Sequence, residues 1–428
     1  MHFPDLNADS GFDALPSPET SDGRPPLIVF ASLRWHFEHQ RPQQLLTRLA
    51  RHYRVIYVEE PVPTHREPWL ESSSPTPGVE LIVPHTPSDA PGFCAAQQPV
   101  LQALLGTLVR ERGIVAPSVW LGTPTALPLA RALAPRTVLY DCMEDASGRP
   151  GAPADLARLE AELLALADVV VCAGPSLYQG LRGRHANVHC IPNAVDARHF
   201  APPAVAGGSI EAVSARSLHA AIPGPRLGWF GVVDDRLDLE LVAAIAKRRP
   251  DWHLVMAGPV VPSVADALPR LPNIHWVGPQ TYAILPHLQA HWDACILPLK
   301  TDAAARGPSP HQALEYLAGQ KSVVSTPVHD VVALHGHIVR LAGDPEAFVE
   351  ACRAAITERG PLRRQRRIDA LIAVHSCSWE RAADRVHKLL VEFAHDEDTA
   401  PVGALLAAGA RRQVAGSRAA YRDSGVAR

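Results

Sequence analysis

Short, unbroken apolar runs alternate with segments of helical period along most of this chain. LIVFASL (27–33) is followed by RPQQLLTRLARH (41–52), where Leu45, Leu46 and Leu49 recur at helical spacing, and then by VIYVEEP (55–61). Strand, helix and strand in that order form the βαβ unit of a parallel sheet. LIVP (81–84), SVWLG (118–122), TVLYD (137–141) and VVVCAG (169–174) continue the series, with a helical pattern, ADLARLEAELLALAD (154–168), ahead of the last. A strand covered by helices on both faces has no solvent side, so such continuous runs read as buried parallel strands.

IPNAVDARHF (191–200) reads as the passage between two domains, and the small-residue stretch after it, AVAGGSIEAVSARSLHAAIPG (204–224), is poorly patterned. The alternation then restarts. LGWFGVV (227–233) leads into LDLELVAAIAKRRP (237–250), followed by WHLVMAG (252–258), IHWVG (274–278), ACILPL (294–299), the helical ALEYLAGQK (313–321) and SVVSTP (322–327). A final helix is predicted over SWERAADRVHKLLVEFAHD (378–396), with Ala382, Val386, Leu389, Leu390 and Phe393 on its apolar side. The ends, 1–24 and 397–428, hold too little apolar surface to offset the entropy of ordering and are expected to be disordered. The chain thus divides into a tail (1–24), an α/β domain (25–195), a second α/β domain (196–375), a C-terminal helix (376–396) and a second tail (397–428). Two doubly wound lobes of this kind hold a ligand in the cleft between them, at the carboxyl ends of the strands.

Composition narrows the functional classes. At 428 residues, 47% hydrophobic and 20% charged, the chain is of ordinary globular make-up. Its net charge of −3 leaves no basic surplus for a phosphate backbone, so no nucleic-acid partner is expected. The seven cysteines are scattered, odd in number and without a CxxC, as in a reduced cytoplasmic protein lacking a disulfide frame or zinc site. The N-terminus has no basic and apolar leader pattern, and no apolar run approaches the roughly 20 residues of a membrane span. The protein is expected to be soluble, or at most peripheral to the inner face of the cell membrane. Serine-hydrolase, P-loop, zincin and kinase motifs are all missing.

Four stretches carry candidate chemistry. LGWFGVVDDR (227–236) is a strand ending in Gly231, then a polar turn. Glycine there lets backbone N–H groups approach an anion, and Arg236 could add a charge-assisted contact to a diphosphate. Without GxGxxG, an ordinary βα turn with a solvated Arg is the commoner arrangement. GPSPHQALEYLAGQK (307–321) offers Ser309 as N-cap, Pro310 in the first turn, then His311 and Glu315. Phosphate at that helix start and ribose hydroxyls on Glu315 compete evenly with a capped surface helix whose Glu is solvated. RWHFEHQRPQQLL (34–46) crowds His36, Glu38, His39, Gln40 and Arg41 into one loop, suited to acceptor binding or a general base. YDCMEDASG (140–148) sets Asp141, Glu144 and Asp145 at a strand end, where carboxylates can orient sugar hydroxyls or simply cap a helix.

With those residues in hand, the chain resembles bacterial glycosyltransferases of the GT-B fold, closest to the group 1/4 branch used in teichuronic-acid and exopolysaccharide synthesis. The resembling stretches include HQRPQQLLTRLARHYRVIYVEEP, VLYDCMED, ADVVVCAGPSLY, HCIPNAVDARHF, LGWFGVVDDRLDLEL and SPHQALEYLAGQKSVVSTP, in matching order from about 27 to 396. The resemblance implies an N-terminal acceptor domain and a C-terminal nucleotide-sugar domain. A hexosyl group would pass, with retention, from a UDP- or GDP-linked sugar to a glycan or glycolipid acceptor. It implies Glu315 on the donor ribose, with Arg236 and the 309–311 helix start (Ser309, Pro310, His311) near the diphosphate; read from the residues themselves, Gly231 is a further donor contact, His36, Gln40, Arg41 and Asp145 are expected to meet the acceptor, and Arg236, His311 and Asp141 to be catalytic. No cofactor beyond the nucleotide sugar is implied. Metal independence is expected, since neither domain carries a DxD motif. His311 stands where these relatives have Lys, and Gly307 where retaining ones have the first of two glutamates. The alternatives are a nucleotide-sugar epimerase of the same fold and a catalytically weak scaffold in polysaccharide assembly.

Overall fold

The computed structural model describes residues 23–36, 41–145, 155–203, 208–301 and 310–395. The expected disordered tails therefore lie almost wholly outside the described residues, as do Glu38, His39, Gln40, Gly307 and Ser309.

The N-terminal lobe is built on β1 (Pro26–Ala31), β2 (Arg54–Glu59), β3 (Val62–Pro63), β4 (Trp69–Thr76), β5 (Val79–Thr86), β6 (Ser118–Leu121), β7 (Thr137–Cys142), β8 (Val169–Cys172) and β9 (Val188–Cys190). They order as β3-β5-β2-β1-β6-β7-β8-β9, all parallel, with β4 joined to β5 as an antiparallel hairpin. Its helices are α1 (Arg41–Leu49), α2 (Gln98–Glu111), α3 (Leu127–Ala132), α4 (Leu156–Leu166) and α5 (Pro175–Leu181). Alternation along β1 shows why the run had to be apolar throughout. Leu27, Val29 and Ala31 join one buried cluster with α1, while Ile28 and Phe30 join another with α2, α3 and α4.

The C-terminal lobe has β10 (Arg226–Phe230), β11 (His253–Ala257), β12 (Ile274–Gly278), β13 (Ala294–Leu297), β14 (Val323–Ser325) and β15 (Arg340–Leu341). Around them lie α6 (Ile210–His219), α7 (Leu239–Arg248), α8 (Leu285–Ala290), α9 (Gln312–Ala318), α10 (His329–His335), α11 (Pro345–Thr357) and α12 (Gly360–Ser376). The strand order β12-β11-β10-β13-β14-β15 is the doubly wound order 3-2-1-4-5-6. Strand order reverses between β10 and β13 here, and between β1 and β6 in the other lobe, so a crevice opens at each carboxyl edge.

The last helix, α13 (Trp379–Glu392), returns to the N-terminal lobe and packs on α1. Trp379, Ala382, Ala383, Val386, Leu389 and Leu390 bury against Leu45, Leu46 and Leu49. The two inter-lobe crossings meet where Val195 N donates to Cys377 O at 3.1 Å. The stretch 204–224, which reads as poorly patterned, holds α6. Its inner face is Ala212, Ala215 and His219, too small and polar for an apolar stripe, and His219 is held by the Trp292 indole N–H at 3.0 Å. All seven cysteines are free.

Candidate functional site

The carboxyl edges of the two sheets face each other across a cleft of about 1270 Å³, room for a drug-sized ligand and more. On the C-terminal side its floor is the end of β10. A Cβ added at Gly258 would lie 1.7 Å from Gly231 O, so the turns after β10 and β11 touch backbone to backbone. Both glycines have positive φ, +152° at Gly231 and +146° at Gly258, where L side chains are strained. Tyr316 of α9 is fully buried and its hydroxyl accepts from Phe230 N at 2.9 Å, pinning α9 to β10.

Four side chains converge there. Arg236 reaches the cleft from the β10–α7 loop, its guanidinium bonded to Asp234 at 2.6 Å. Lys300 follows β13, and its N–H donates to Arg236 O at 2.9 Å, which ties the two loops together. His311 occupies the N-cap position of α9, with Glu315 one turn inside and the two 3.9 Å apart. Ser309 was the expected cap; the helix begins two residues later than Pro310, at Gln312. Burial pushes the Glu315 carboxyl up to about 8, because desolvation disfavours its charged form. His311 is pushed down to about 4, first by desolvation and then by Arg236, although 41% of its side chain is open to the cleft. In the free protein near neutral pH both groups are therefore uncharged, and the Arg236 charge is offset by Asp234. Lys300 adds a second cation beside Arg236 at this edge of the cleft.

On the N-terminal side, Ser32, Trp35 and His36 line the cleft after β1, and Gly122, Thr123 and Pro124 line it after β6. Arg34 bonds Glu59 at 2.8 Å, Trp35 N donates to the same carboxylate at 2.6 Å, and Gln43 Nε2 donates to Trp35 O at 3.0 Å. These contacts hold Arg34 and Trp35 in place after β1.

The sequence-predicted residues separate into two groups. Gly231, Arg236, Pro310, His311 and Glu315 come together at one edge of the cleft, with His36 across from them. Asp141 and Arg41, expected as a reacting and an acceptor group, are paired with each other. Arg41 Nε lies 3.1 Å from both Asp141 oxygens, both side chains are under 5% exposed, and Arg41 also donates to Ile191 O at 2.8 Å. Asp141 lies behind the cleft wall and holds Arg41, which touches the cleft with one edge. Asp145 is not among the lining residues, whereas Glu144 is. Lys300, Gln312 and Tyr282 line the site without any sequence motif announcing them.

One inter-lobe contact also lies at the cleft. Asp330, at the start of α10 and 4% exposed, accepts from Ser176 N at 2.9 Å and Ser176 Oγ at 2.5 Å. It thereby satisfies an N-terminal N–H of α5 in the opposite lobe, where Gly174 offers no side-chain cap. Among the described residues no cluster of three or more His, Cys, Asp or Glu is placed to hold a metal ion, and no helix is long and apolar enough to cross a membrane.

Two doubly wound lobes whose carboxyl edges face one cleft are the architecture of the GT-B class. Sucrose-phosphate synthase (tll1590) from Thermosynechococcus elongatus superposes with a TM-score of 0.69 at 15% identity, over 86% of this chain and 99% of that one. Anabaena Alr3699/HepE, solved in complex with UDP and glucose, superposes at 0.63 and 13% identity, over 86% of this chain and all of that one. Within that class, residues 226–358, in the C-terminal lobe, match the family model Glycosyl transferases group 1. A Bacillus subtilis (strain 168) protein provisionally named as the teichuronic acid biosynthesis glycosyltransferase TuaH is 26% identical over 242 residues, 52% of this chain. The match spans 59% of that relative's length.

Proposed function

We propose that this protein is a glycosyltransferase that moves a hexosyl group from a nucleoside-diphosphate sugar to a glycan or glycolipid acceptor. The carrying observation is the convergence of Arg236, Lys300, His311 and Glu315 where the C-terminal strand order reverses. Arg236 and Lys300 would take the diphosphate, and Glu315 the ribose hydroxyls. A bound diphosphate would compete with Asp234 for Arg236. As the sugar–phosphate bond breaks, negative charge grows on the departing diphosphate, and fixed cations at that point lower the barrier. His36, Trp35 and Glu144 would face the acceptor. UDP is the first nucleotide to try, because HepE is described with UDP and glucose, and the teichuronic-acid likeness favours a cell-surface glycan as acceptor. Retention and independence of a metal or further cofactor belong to the same proposal.

The test is a thermal-shift screen with UDP, GDP and their sugars, in the presence and absence of EDTA. A ligand at a hundred times its Kd stabilises the folded state by about 2.7 kcal/mol, several degrees for a lobe of this size. No shift with any nucleoside diphosphate would overturn the proposal. Incubation with donor alone tests the epimerase alternative: a new isomer appearing without acceptor would replace transfer with epimerisation.

A further inference from the structure

The start of a helix carries a partial positive charge from the macrodipole, so cations there are unfavourable unless an anion joins them. Helix α12 begins against that rule. Its N-cap is Arg359, no side chain caps it, its first turn holds no acidic residue, and Arg363, Arg364, Arg366 and Arg367 follow within two turns or so. A recess of about 490 Å³ opens between this helix, the end of α9 and the turn into β14. Lys321, Arg359, Arg363, Arg366 and Arg367 line it, against the carboxylates Glu358 and Asp293. Glu358 is shared by Arg366 at 2.6 Å and Arg340 at 2.7 Å, and Asp293 accepts from Arg226 N at 2.7 Å. Arg359 donates to Ile356 O and Glu358 O, Arg367 to Gln320 Oε1, and Lys321 to Ala290 O and Trp292 O. Those acceptors are neutral and leave each cation its charge. Arg363 is exposed and has no hydrogen-bond or ion-pair partner among the described residues. The inner wall is polar but unsatisfied. Gln289 is 1% exposed and Ser322 4%, yet Gln289 Oε1 and Ser322 Oγ find no hydrogen-bond partner among the described residues. Gln289 Nε2 donates to Glu315 O at 3.5 Å, which sets the amide orientation and leaves its oxygen as the open acceptor. Buried polar atoms left unpaired are uncommon and call for a partner.

We propose that this recess is a second ligand site, separate from the cleft, that takes a hexose phosphate. The gradient of burial orients the ligand. Its phosphate meets Arg363 at the exposed rim, with Arg359 and Arg367 beside it, and its hydroxyls satisfy Gln289 Oε1 and Ser322 Oγ at the inner wall. Charge-assisted contacts from a guanidinium to phosphate are among the stronger hydrogen bonds, and the dipole of α12 favours the same anion. The volume lies within the range of small-molecule pockets. A nucleotide suits the recess less well. Trp292 is the one aromatic ring among the lining residues, is 3% exposed and has its indole N–H on His219, so no open face is left for a base. Asp293 and Ser322 immediately precede β13 and β14, which puts the recess at the amino edge of the sheet whose carboxyl edge forms the cleft. The site is therefore independent of the donor-site reading.

The test is titration calorimetry of the full chain with the 6-phosphates of glucose, mannose and galactose, beside the free sugars and inorganic phosphate, with and without saturating UDP. At least one hexose phosphate should bind more tightly than inorganic phosphate or its own free sugar, and UDP should not displace it. Arg363→Gln should weaken hexose phosphate and inorganic phosphate alike, by about tenfold or more. Ser322→Ala should weaken the hexose phosphate about fivefold and leave inorganic phosphate unchanged. Neither variant removes a group that is paired in the free protein, so melting should not fall below the wild-type value. Absence of binding by all three hexose phosphates, displacement by UDP, or wild-type affinity in both variants would overturn the proposal. Binding no tighter than that of inorganic phosphate would also overturn it, leaving an adventitious anion only. Failure of UDP itself to bind would count against the donor site and leave the comparison of variants at the recess intact.

Discussion

Glu315→Gln separates a functional carboxylate from a structural one, because the two roles move stability and binding in opposite directions. Burial raises the Glu315 carboxyl from 4.5 to about 8. The sign follows from linkage: below pH 4.5 both folded and unfolded chains hold the proton, and nothing is lost. Between 4.5 and 8 the unfolded chain releases it and the folded chain keeps it, so stability falls as pH rises through that window. At 1.36 kcal/mol per pH unit the full cost approaches 5 kcal/mol, and water in the open cleft reduces it to about 2–3 kcal/mol. Gln has the same shape without the charge and escapes the cost. In melting experiments the variant should match wild type at pH 4.5 and exceed it at pH 8.5 by about 4–12 °C, at about 2–4 °C per kcal/mol. In calorimetry at the same pH it should bind nucleoside diphosphate more weakly by about 1.5–3 kcal/mol, the worth of a charge-assisted hydrogen bond. A melting difference of equal size at both pH values would refute the burial argument. Unchanged affinity in a folded variant would make Glu315 a wall residue and remove ribose binding from its roles.

His311→Lys replaces a ring that is neutral above about pH 4 with a permanent cation at the same cleft edge; it should bind nucleoside diphosphate about tenfold more tightly at pH 8, a charge-assisted contact being worth about 1.5–3 kcal/mol. Affinity of the wild type should rise as pH falls, because bound phosphate favours the protonated ring, while the variant's profile should be flatter; parallel calorimetric profiles would place His311 away from the phosphate. Asp141→Asn strands a buried guanidinium and should cost about 3–5 kcal/mol in denaturant unfolding, with Arg41→Met, Asp141→Leu together recovering most of it. Asp330→Ala removes the acceptor that clips Ser176 across the cleft; the lobes should separate more readily, seen as a larger radius of gyration in small-angle X-ray scattering with little change in circular dichroism.

The two-lobe α/β plan was legible in the sequence because parallel strands buried on both faces must be apolar through their centres, as 27–31, 55–58, 138–140, 169–172 and 254–257 are. The donor edge was partly legible for a related reason: the turn after β10 needs Gly231, and α9 carries His311 and Glu315 one turn apart, both local features. Elements without a one-sided apolar pattern escaped. Strand β4 is largely exposed, α6 buries two alanines and a histidine, and α12 is apolar on two sides at once. Long-range pairing decided the rest. Arg41 and Asp141 look like reactive residues along the chain, but they are a hundred positions apart in sequence and 3 Å apart in space, where they form a buried ion pair. Lys300 becomes a cleft cation only because β13 lies beside β10, and Asp330 caps a helix of the opposite lobe. Local composition dictates which segments are strands and helices. Which charges are neutralised, desolvated or left facing a ligand depends on neighbours that only the folded chain supplies.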